Sequence, residues 1–359
     1  MAIFLIVILV MAALLEYLSM RGGEACVEAD FELSGRKTET NTDVELITRV
    51  RRLYWLPVSY CEIGIDLPPS ARLPEGADIR RDGNRSTLRD VYRLWSRRPR
   101  ERRMTIQMEK RGAFLFSGRT VRRGDFLGIS LTDERFDVHR TILVYPPRMQ
   151  SAELSEALGS YSGLLAAQRW LLRDPVLIMG VREYTGHEPM HAISWTQTAR
   201  RNELTVREFD YTRSLNCRVI LAVNGLEPDE GELLDRCCSA ARTVCEKLME
   251  EGVEPVLSTN AALIGHPNRP IRSVSAGPNR EEDLLEVLAR VTAFACCSVS
   301  SLAEECLAEM TEISACVLIT PHNDEEAQKA LQLLSARSMI GAKLFAMDEL
   351  EEDRDGGVL

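Results

Sequence analysis

The sequence contains no Walker phosphate loop, no G-x-S-x-G nucleophile elbow and no G-x-G-x-x-G following a strand. It therefore lacks the local signatures of phosphate-cradling loops and of α/β-hydrolase chemistry. Its ten cysteines include no C-x-x-C pair, which removes the common zinc spacing. Cys237 with Cys238 and Cys296 with Cys297 are adjacent, a spacing unsuited to a secreted disulfide framework, so the cysteines read as small buried apolar residues. Histidine is scarce as well: His139, His266 and His322 stand apart, and no cysteine neighbours a histidine in a nucleophile–base arrangement. These absences favour binding over catalysis and call for no cofactor.

What is present suffices for two globular domains: 359 residues, 45% of them hydrophobic and 27% charged. The net charge of −10 conceals a split, because residues 1–150 carry 25 Lys and Arg against 20 Asp and Glu while the remainder carries 19 against 34. Residues 3–15 are wholly apolar, and Tyr17, Leu18 and Met20 continue the run beyond Glu16 towards the roughly 17–25 residues of a membrane span. No Lys or Arg precedes the run and no small-residue cleavage site follows it, so the expectation is an uncleaved single-pass anchor at residues 1–20. Arg21, Arg36, Lys37, Arg49, Arg51 and Arg52 come after it, which by the positive-inside rule puts the bulk of the chain in the cytoplasm.

Short alternating segments at residues 27–33, 44–50, 58–65, 104–108, 113–116, 126–131 and 141–145, parted by Gly, Pro, Asn and Asp, predict an antiparallel β-sandwich-like domain. Ten arginines lie between Arg80 and Arg103, with Tyr92 and Trp95 among them. Asp78, Asp82, Asp90 and Glu101 dilute the charge, so the segment reads first as a solvated loop, then as a contact for anionic lipid headgroups, and last as a nucleic-acid footprint.

The densest signal lies at residues 180–210. Val181 to Tyr184 alternates as a strand, Gly186 and Pro189 interrupt it, and Leu204, Val206 and Phe209 resume an apolar pattern. Trp195 is the expected buried anchor, ringed by ion pairs among Arg182, Glu183, Arg200 and Arg207. His187, Glu188 and His191 satisfy H-E-x-x-H, the spacing that sets two zinc ligands and a general base on one helical face, so a zinc-dependent hydrolase is an alternative. Pro189 falls inside the turn that would have to be helical, which argues against it.

Gly180, Arg182, Glu183, Tyr184, Ile193, Trp195, Ala199 and Arg200 match, in order and spacing, the pattern G-x-R-E-Y-x-x-G-D-x-x-R-x-I-x-W-x-x-x-A-R. On these residues the chain resembles the bacterial family called domain of unknown function 58. It departs from the pattern at His187, Glu188 and His191. The resemblance implies a partnership with a MoxR-type AAA ATPase, an adaptor role toward a protein client, and a von Willebrand A-like domain.

After a helical stretch near residues 152–172 and the signature, strands at 217–223, 253–257, 315–320 and 343–347 alternate with helices at 228–251, 280–295 and 324–336, which predicts a parallel, doubly wound sheet; Pro255 favours an edge or a strand start. A von Willebrand A-like metal site would need Asp-x-Ser-x-Ser after the strand at 217–223, where this chain has Asn224, Leu226 and Glu227, a degenerate position. The expected fold class is α+β multidomain: a transmembrane helix at 1–20, a β-sandwich-like domain at 25–148, a connecting helix and signature at 149–212, a von Willebrand A-like, Rossmann-like α/β domain at 213–347, and an acidic tail at 348–359. The expected function is a membrane-anchored adaptor, with a structural cell-envelope protein as the remaining alternative.

Overall fold

A computed structural model describes residues 2–20, 26–53, 55, 57–74, 76–82, 85–124, 131–171, 178–186, 190–209, 216–227, 229–267, 271–275, 280–309 and 315–350. The expected strand at 126–131 and the acidic tail beyond residue 350 fall almost wholly outside them. The chain divides into two compact units, Met1–Pro147 and Arg148–Leu359. The first helix, α1 (Ala2–Met20), corrects the membrane expectation: among the described residues no helix is long and apolar enough to cross a membrane. The unbroken apolar stretch at residues 3–15 rises only about 20 Å at ~1.5 Å per residue, against a hydrocarbon core of ~30 Å, and Glu16 ends it. The single-pass anchor and the cytoplasmic placement derived from it are withdrawn.

The first unit is built from β1 (Val27–Leu33), β2 (Lys37–Glu39), β3 (Asp43–Arg52), β4 (Val58–Leu67), β5 (Ala71–Arg72), β6 (Ile79–Asp82), β7 (Arg85–Leu94), β8 (Arg100–Met108), β9 (Gly112–Gly124), β10 (Leu131–Arg135) and β11 (His139–Tyr145). One sheet has the order β1-β3-β8-β5; the other runs β2-β11-β9-β4-β7-β6, with β10 on β9. Every second residue of β3 (Val44, Leu46, Thr48, Val50) is buried, the period of a strand with one wet face. Phe31, Leu46 and Ile106 from one sheet share a core with Ile63, Leu88, Phe116 and Ile142 from the other, which makes the unit a β-sandwich. Gly118 is fixed by that core: a Cβ there would stand 2.5 Å from the Phe136 ring, which packs edge-on against Phe31 at 6.0 Å.

The arginine-rich segment is mostly strand, not loop. Leu88, Tyr92 and Leu94 of β7 face the core while Arg93 is exposed, so the arginines occupy the alternate positions of a pleated strand. Arg89 pairs with Glu62 at 2.6 Å and holds that carboxyl below its usual range; Arg102 pairs with Asp90 at 2.7 Å.

The second unit comprises α2 (Ala152–Leu171), β12 (Ile178–Glu183), a 3-10 turn (Met190–Ala192), α3 (Trp195–Arg201), β13 (Thr205–Phe209), β14 (Asn216–Leu221), α4 (Gly231–Glu250), β15 (Glu254–Thr259), β16 (Ala261–Leu263), β17 (Arg272–Ser275), α5 (Glu281–Arg290), β18 (Val291–Ala295), α6 (Val299–Glu309), β19 (Ala315–Thr320), α7 (Glu325–Arg337) and β20 (Ala342–Ala346). Its main sheet has the order β17-β15-β14-β19-β20; β15, β14, β19 and β20 run parallel, and β17 is antiparallel to β15. β19 is buried throughout, as a strand covered on both faces must be. Arg218, inside β14 and only 2% exposed, is tolerated there because its guanidinium reaches Glu309 at 2.5 Å and the Cys306 carbonyl at 3.3 Å.

Two element readings change. The helix expected over 280–295 stops at Arg290, because β-branched Val291 and Thr292 begin a strand that pairs with β16. Helix α6 lies outside every helix the sequence pattern predicts. Pro255 stands at the start of β15, as its second residue, and its missing N–H is accommodated because β17 overlaps β15 only from Val256 onward. The fold class is corrected too: the described residues form twenty strands against seven α-helices, and none of those helices is long and apolar enough to cross a membrane.

The Tyr161 hydroxyl fastens α2 to the sheet. It donates to the Gly341 carbonyl at 2.9 Å and accepts from the Cys316 N–H at 3.1 Å, with the ring buried. Tyr161→Phe is expected to lower unfolding stability by about 1–2 kcal/mol without altering the circular dichroism of the folded protein, measured by chemical denaturation.

Candidate functional site

Two constellations of the second unit bear on function. The first is the signature segment, where β12 and β13 form an antiparallel pair and α3 lies in the connection between them. It is held by small groups: Ile193 is buried and bridges Val206, the Ser194 N–H donates to the Thr205 carbonyl at 2.9 Å, and the Thr198 hydroxyl accepts from the Thr205 N–H at 3.1 Å. Asn202 closes α3 in the left-handed region at φ 58°, a conformation its short amide tolerates.

The signature residues are therefore brought together in one unit but not in the expected way. Trp195 is the first residue of α3 and is 59% exposed, so it is no buried anchor. Arg182, Glu183, Ala199 and Arg200 are exposed, Gly180 and Tyr184 half-buried. Glu183 forms no ion pair with Arg182, Arg200 or Arg207 among the described residues. The hydroxyls of Thr198 and Thr205 and the apolar side chains of Ile193 and Val206 hold the unit instead. His187 and Glu188 lie outside the described residues, and His191 belongs to a short 3-10 turn, so the zinc alternative gains no geometry.

The second constellation stands at the carboxyl edge of the parallel strands, where open α/β sheets place their ligand sites. The segments after β14, β15, β19 and β20 meet there: the Ala222 N–H donates to the Ile319 carbonyl at 3.0 Å and the Asp348 N–H to that of Pro321 at 3.0 Å. Asn260 is the hub. Fully buried, its Oδ1 accepts from the Val223 N–H at 3.1 Å, and its Nδ2 donates to Asn224 Oδ1 at 2.5 Å and to the Cys297 carbonyl at 2.8 Å. Asn224 Nδ2 donates to the same Cys297 carbonyl at 3.1 Å, and the Asn260 carbonyl accepts from the Cys296 N–H at 2.7 Å. Beside this bracket His322 lies between two carboxylates, 3.6 Å from Glu230 at the start of α4 and 3.2 Å from Asp348. Glu230 also accepts the Glu227 N–H at 2.9 Å.

This geometry bears on the degenerate metal position. A hard cation needs oxygens with free lone pairs aimed inward; here the Asn224 oxygen is engaged by Asn260, Leu226 brings an apolar side chain, and Glu227 is exposed. Those residues do not fit a divalent ion, and among the described residues no group of three His, Cys, Asp or Glu is arranged for one. Burial pushes the Cys297 thiol up from its usual range, so it is not an activated thiolate. The arrangement is a preformed, fully hydrogen-bonded platform. Sequence reasoning missed Asn260, His322, Glu230 and Asp348. The available signal was positional: Asn224, Asn260 and His322 each follow closely on an apolar strand, and parallel strands put such residues at one edge. Asn260→Leu leaves the Val223 N–H and the Asn224 Oδ1 without their partner and the Cys297 carbonyl with the Asn224 amide alone. It should cost at least about 3 kcal/mol in chemical denaturation, more than Asn224→Ala.

No family model matches the sequence. A protein of Bacillus subtilis (strain 168), the uncharacterized protein YeaD, is 25% identical over 150 residues, covering 42% of this chain and 37% of its own length; the chain thus spans well under half of that relative. Among solved structures, a cohesin module from the Clostridium perfringens family 33 glycoside hydrolase has a TM-score of 0.27 at 8% identity, over 33% of this chain and 96% of its own. A CARDB domain from Pyrococcus furiosus has a TM-score of 0.24 at 10% identity, over 33% and 91%. Neither is a von Willebrand A domain, and that assignment is not carried further.

Proposed function

We propose that the chain is a protein-binding adaptor that works with a MoxR-type AAA ATPase on a protein client and has no catalysis of its own. The observation that carries this reading is the outward orientation of the signature. Side chains that match a motif but face solvent do little for packing, so their use lies in contact with something else. Trp195 is exposed at the head of α3, Met190 is exposed five residues earlier, and Arg182 and Arg200 are exposed on the same small unit. Tryptophan and arginine are the side chains that most often dominate protein interfaces, and methionine adapts to irregular partner surfaces. The family resemblance at Gly180, Arg182, Glu183, Tyr184, Ile193, Trp195, Ala199 and Arg200 supplies the class of partner. The rigid platform around Asn260 supports the same reading, since a surface already ordered before binding loses less entropy on association.

The test is crosslinked affinity purification of the full-length tagged protein from its native host, with and without ATP, alongside Trp195→Ala and Arg200→Glu variants. Recovery of an AAA ATPase with the parent protein, reduced at least about tenfold by either variant at unchanged thermal stability, is the expected result. Recovery of no ATPase, or equal recovery with all three proteins, would refute the adaptor reading.

A further inference from the structure

One end of the sandwich carries an aromatic and cationic cluster that its packing does not explain. Trp55 is 52% exposed and Trp95 63% exposed, and Leu53 beside them is exposed as well. A single side chain ties the two backbone segments that carry them: Arg52, itself buried, donates from Nη1 to the Trp55 carbonyl at 2.7 Å and from Nη2 to the Trp95 carbonyl at 3.4 Å. The turn from β7 to β8 then presents Arg97 and Arg98, its shape set by the Ser96 hydroxyl accepting the Arg98 N–H at 3.1 Å.

The cations are not matched by the chain's own acids. Arg93, Arg97, Arg98 and Arg100 are exposed and form no ion pair among the described residues. The nearby carboxylates are already engaged, Glu28 with Arg51 at 2.6 Å and Glu101 with Arg49 at 3.1 Å and Arg103 at 2.8 Å. Burial, and then the charge of Arg97, push the Arg52 guanidinium down from its usual range, in keeping with an end of the module crowded with positive charge.

We propose that this end of the sandwich docks an acidic protein segment that carries apolar side chains among its carboxylates. Charge complementarity gives the sign of the partner, and the two exposed indoles, carried on backbone that Arg52 ties together, give it an apolar seat. The segment between Arg80 and Arg103 has ten arginines and no lysine. The planar two-pronged guanidinium grips a carboxylate, as it does a phosphate, and the exposed tryptophans beside it fit the apolar side chains of a peptide. The proposal rests on the binding reading above and names a client-facing surface on the other unit from the signature.

The experiment uses the full-length protein and a fluorescein-labelled peptide that alternates glutamate with leucine or phenylalanine, followed by anisotropy. A version with lysine for glutamate serves as control, and vesicles with and without phosphatidylserine are run in parallel. Trp55→Ser with Trp95→Ser, and Arg97→Glu with Arg98→Glu, change exposed side chains only, and thermal unfolding checks that both variants fold. Binding of the acidic peptide but not the lysine version, weakened at least about tenfold by each double variant and by added salt, is the expected result. Equal binding by parent and variants, or no peptide binding, would overturn the proposal; variant-sensitive uptake on phosphatidylserine vesicles without peptide binding would overturn it in favour of lipid. None of these outcomes depends on an ATPase, so failure here is distinguishable from failure of the adaptor reading.

Discussion

A primary amide buried without water must find a partner for each of its donors and for its oxygen, or cost several kcal/mol. Asn260 meets that demand with groups from two separate chain segments: Val223 and Asn224, which follow β14, and the Cys297 carbonyl that precedes α6. The consequence reaches beyond hydrogen-bond satisfaction. Because Asn260 also links β15 to β16, the direction of the β16 and β18 ribbon is tied to the same bracket that closes the would-be metal position. A site that in a metal-binding arrangement would present free oxygens here spends them internally, and the edge becomes a fixed surface.

Both units pair charge, at two depths. In the sandwich Arg122 and Asp133 pair across neighbouring strands on the outer pleats, which stabilises modestly, while buried Arg123 reaches Glu134 at 3.1 Å. In the α/β unit a charge also goes inside: Arg218 sits in a central strand, and its pairing with Glu309 ties β14 to the end of α6. Loss of one partner there would strand a buried ion, a far larger penalty than at the surface. The sandwich is thus free to vary its exposed arginines, while the α/β unit is not free to vary its buried one.

Much of the fold was legible because period-two burial is a direct imprint of strand geometry. Val27–Leu33, Ala315–Thr320 and α2 (Ala152–Leu171) follow closely from hydrophobic pattern, and the Asp324 cap marks the start of α7 by accepting the Ala327 N–H at 2.7 Å. Sequence reasoning failed where tertiary pairing overrode local tendency. The helix over 280–295 was extended through Val291 because its strand partner, β16, is remote in sequence. Trp195 was placed inside because a large aromatic usually is; the small groups Thr198, Thr205 and Ile193 already fill that unit and leave the indole outside. The arginine run was read as a loop because its charge masked the alternation of Leu88, Tyr92 and Leu94. The platform was illegible for another reason: Asn224, Asn260, Cys297 and His322 are neighbours only once the parallel order of the strands is known.

The central claim, that the carboxyl edge is locked by Asn260 before any partner arrives, is tested most directly by amide hydrogen exchange in the free full-length protein. The account predicts that the Val223 and Cys296 amides, which donate to the Asn260 side chain and carbonyl, exchange as slowly as Ile220 within β14. Exchange at the rate of the exposed turn at Gly225 would contradict it, and would mean that the edge is ordered only on binding.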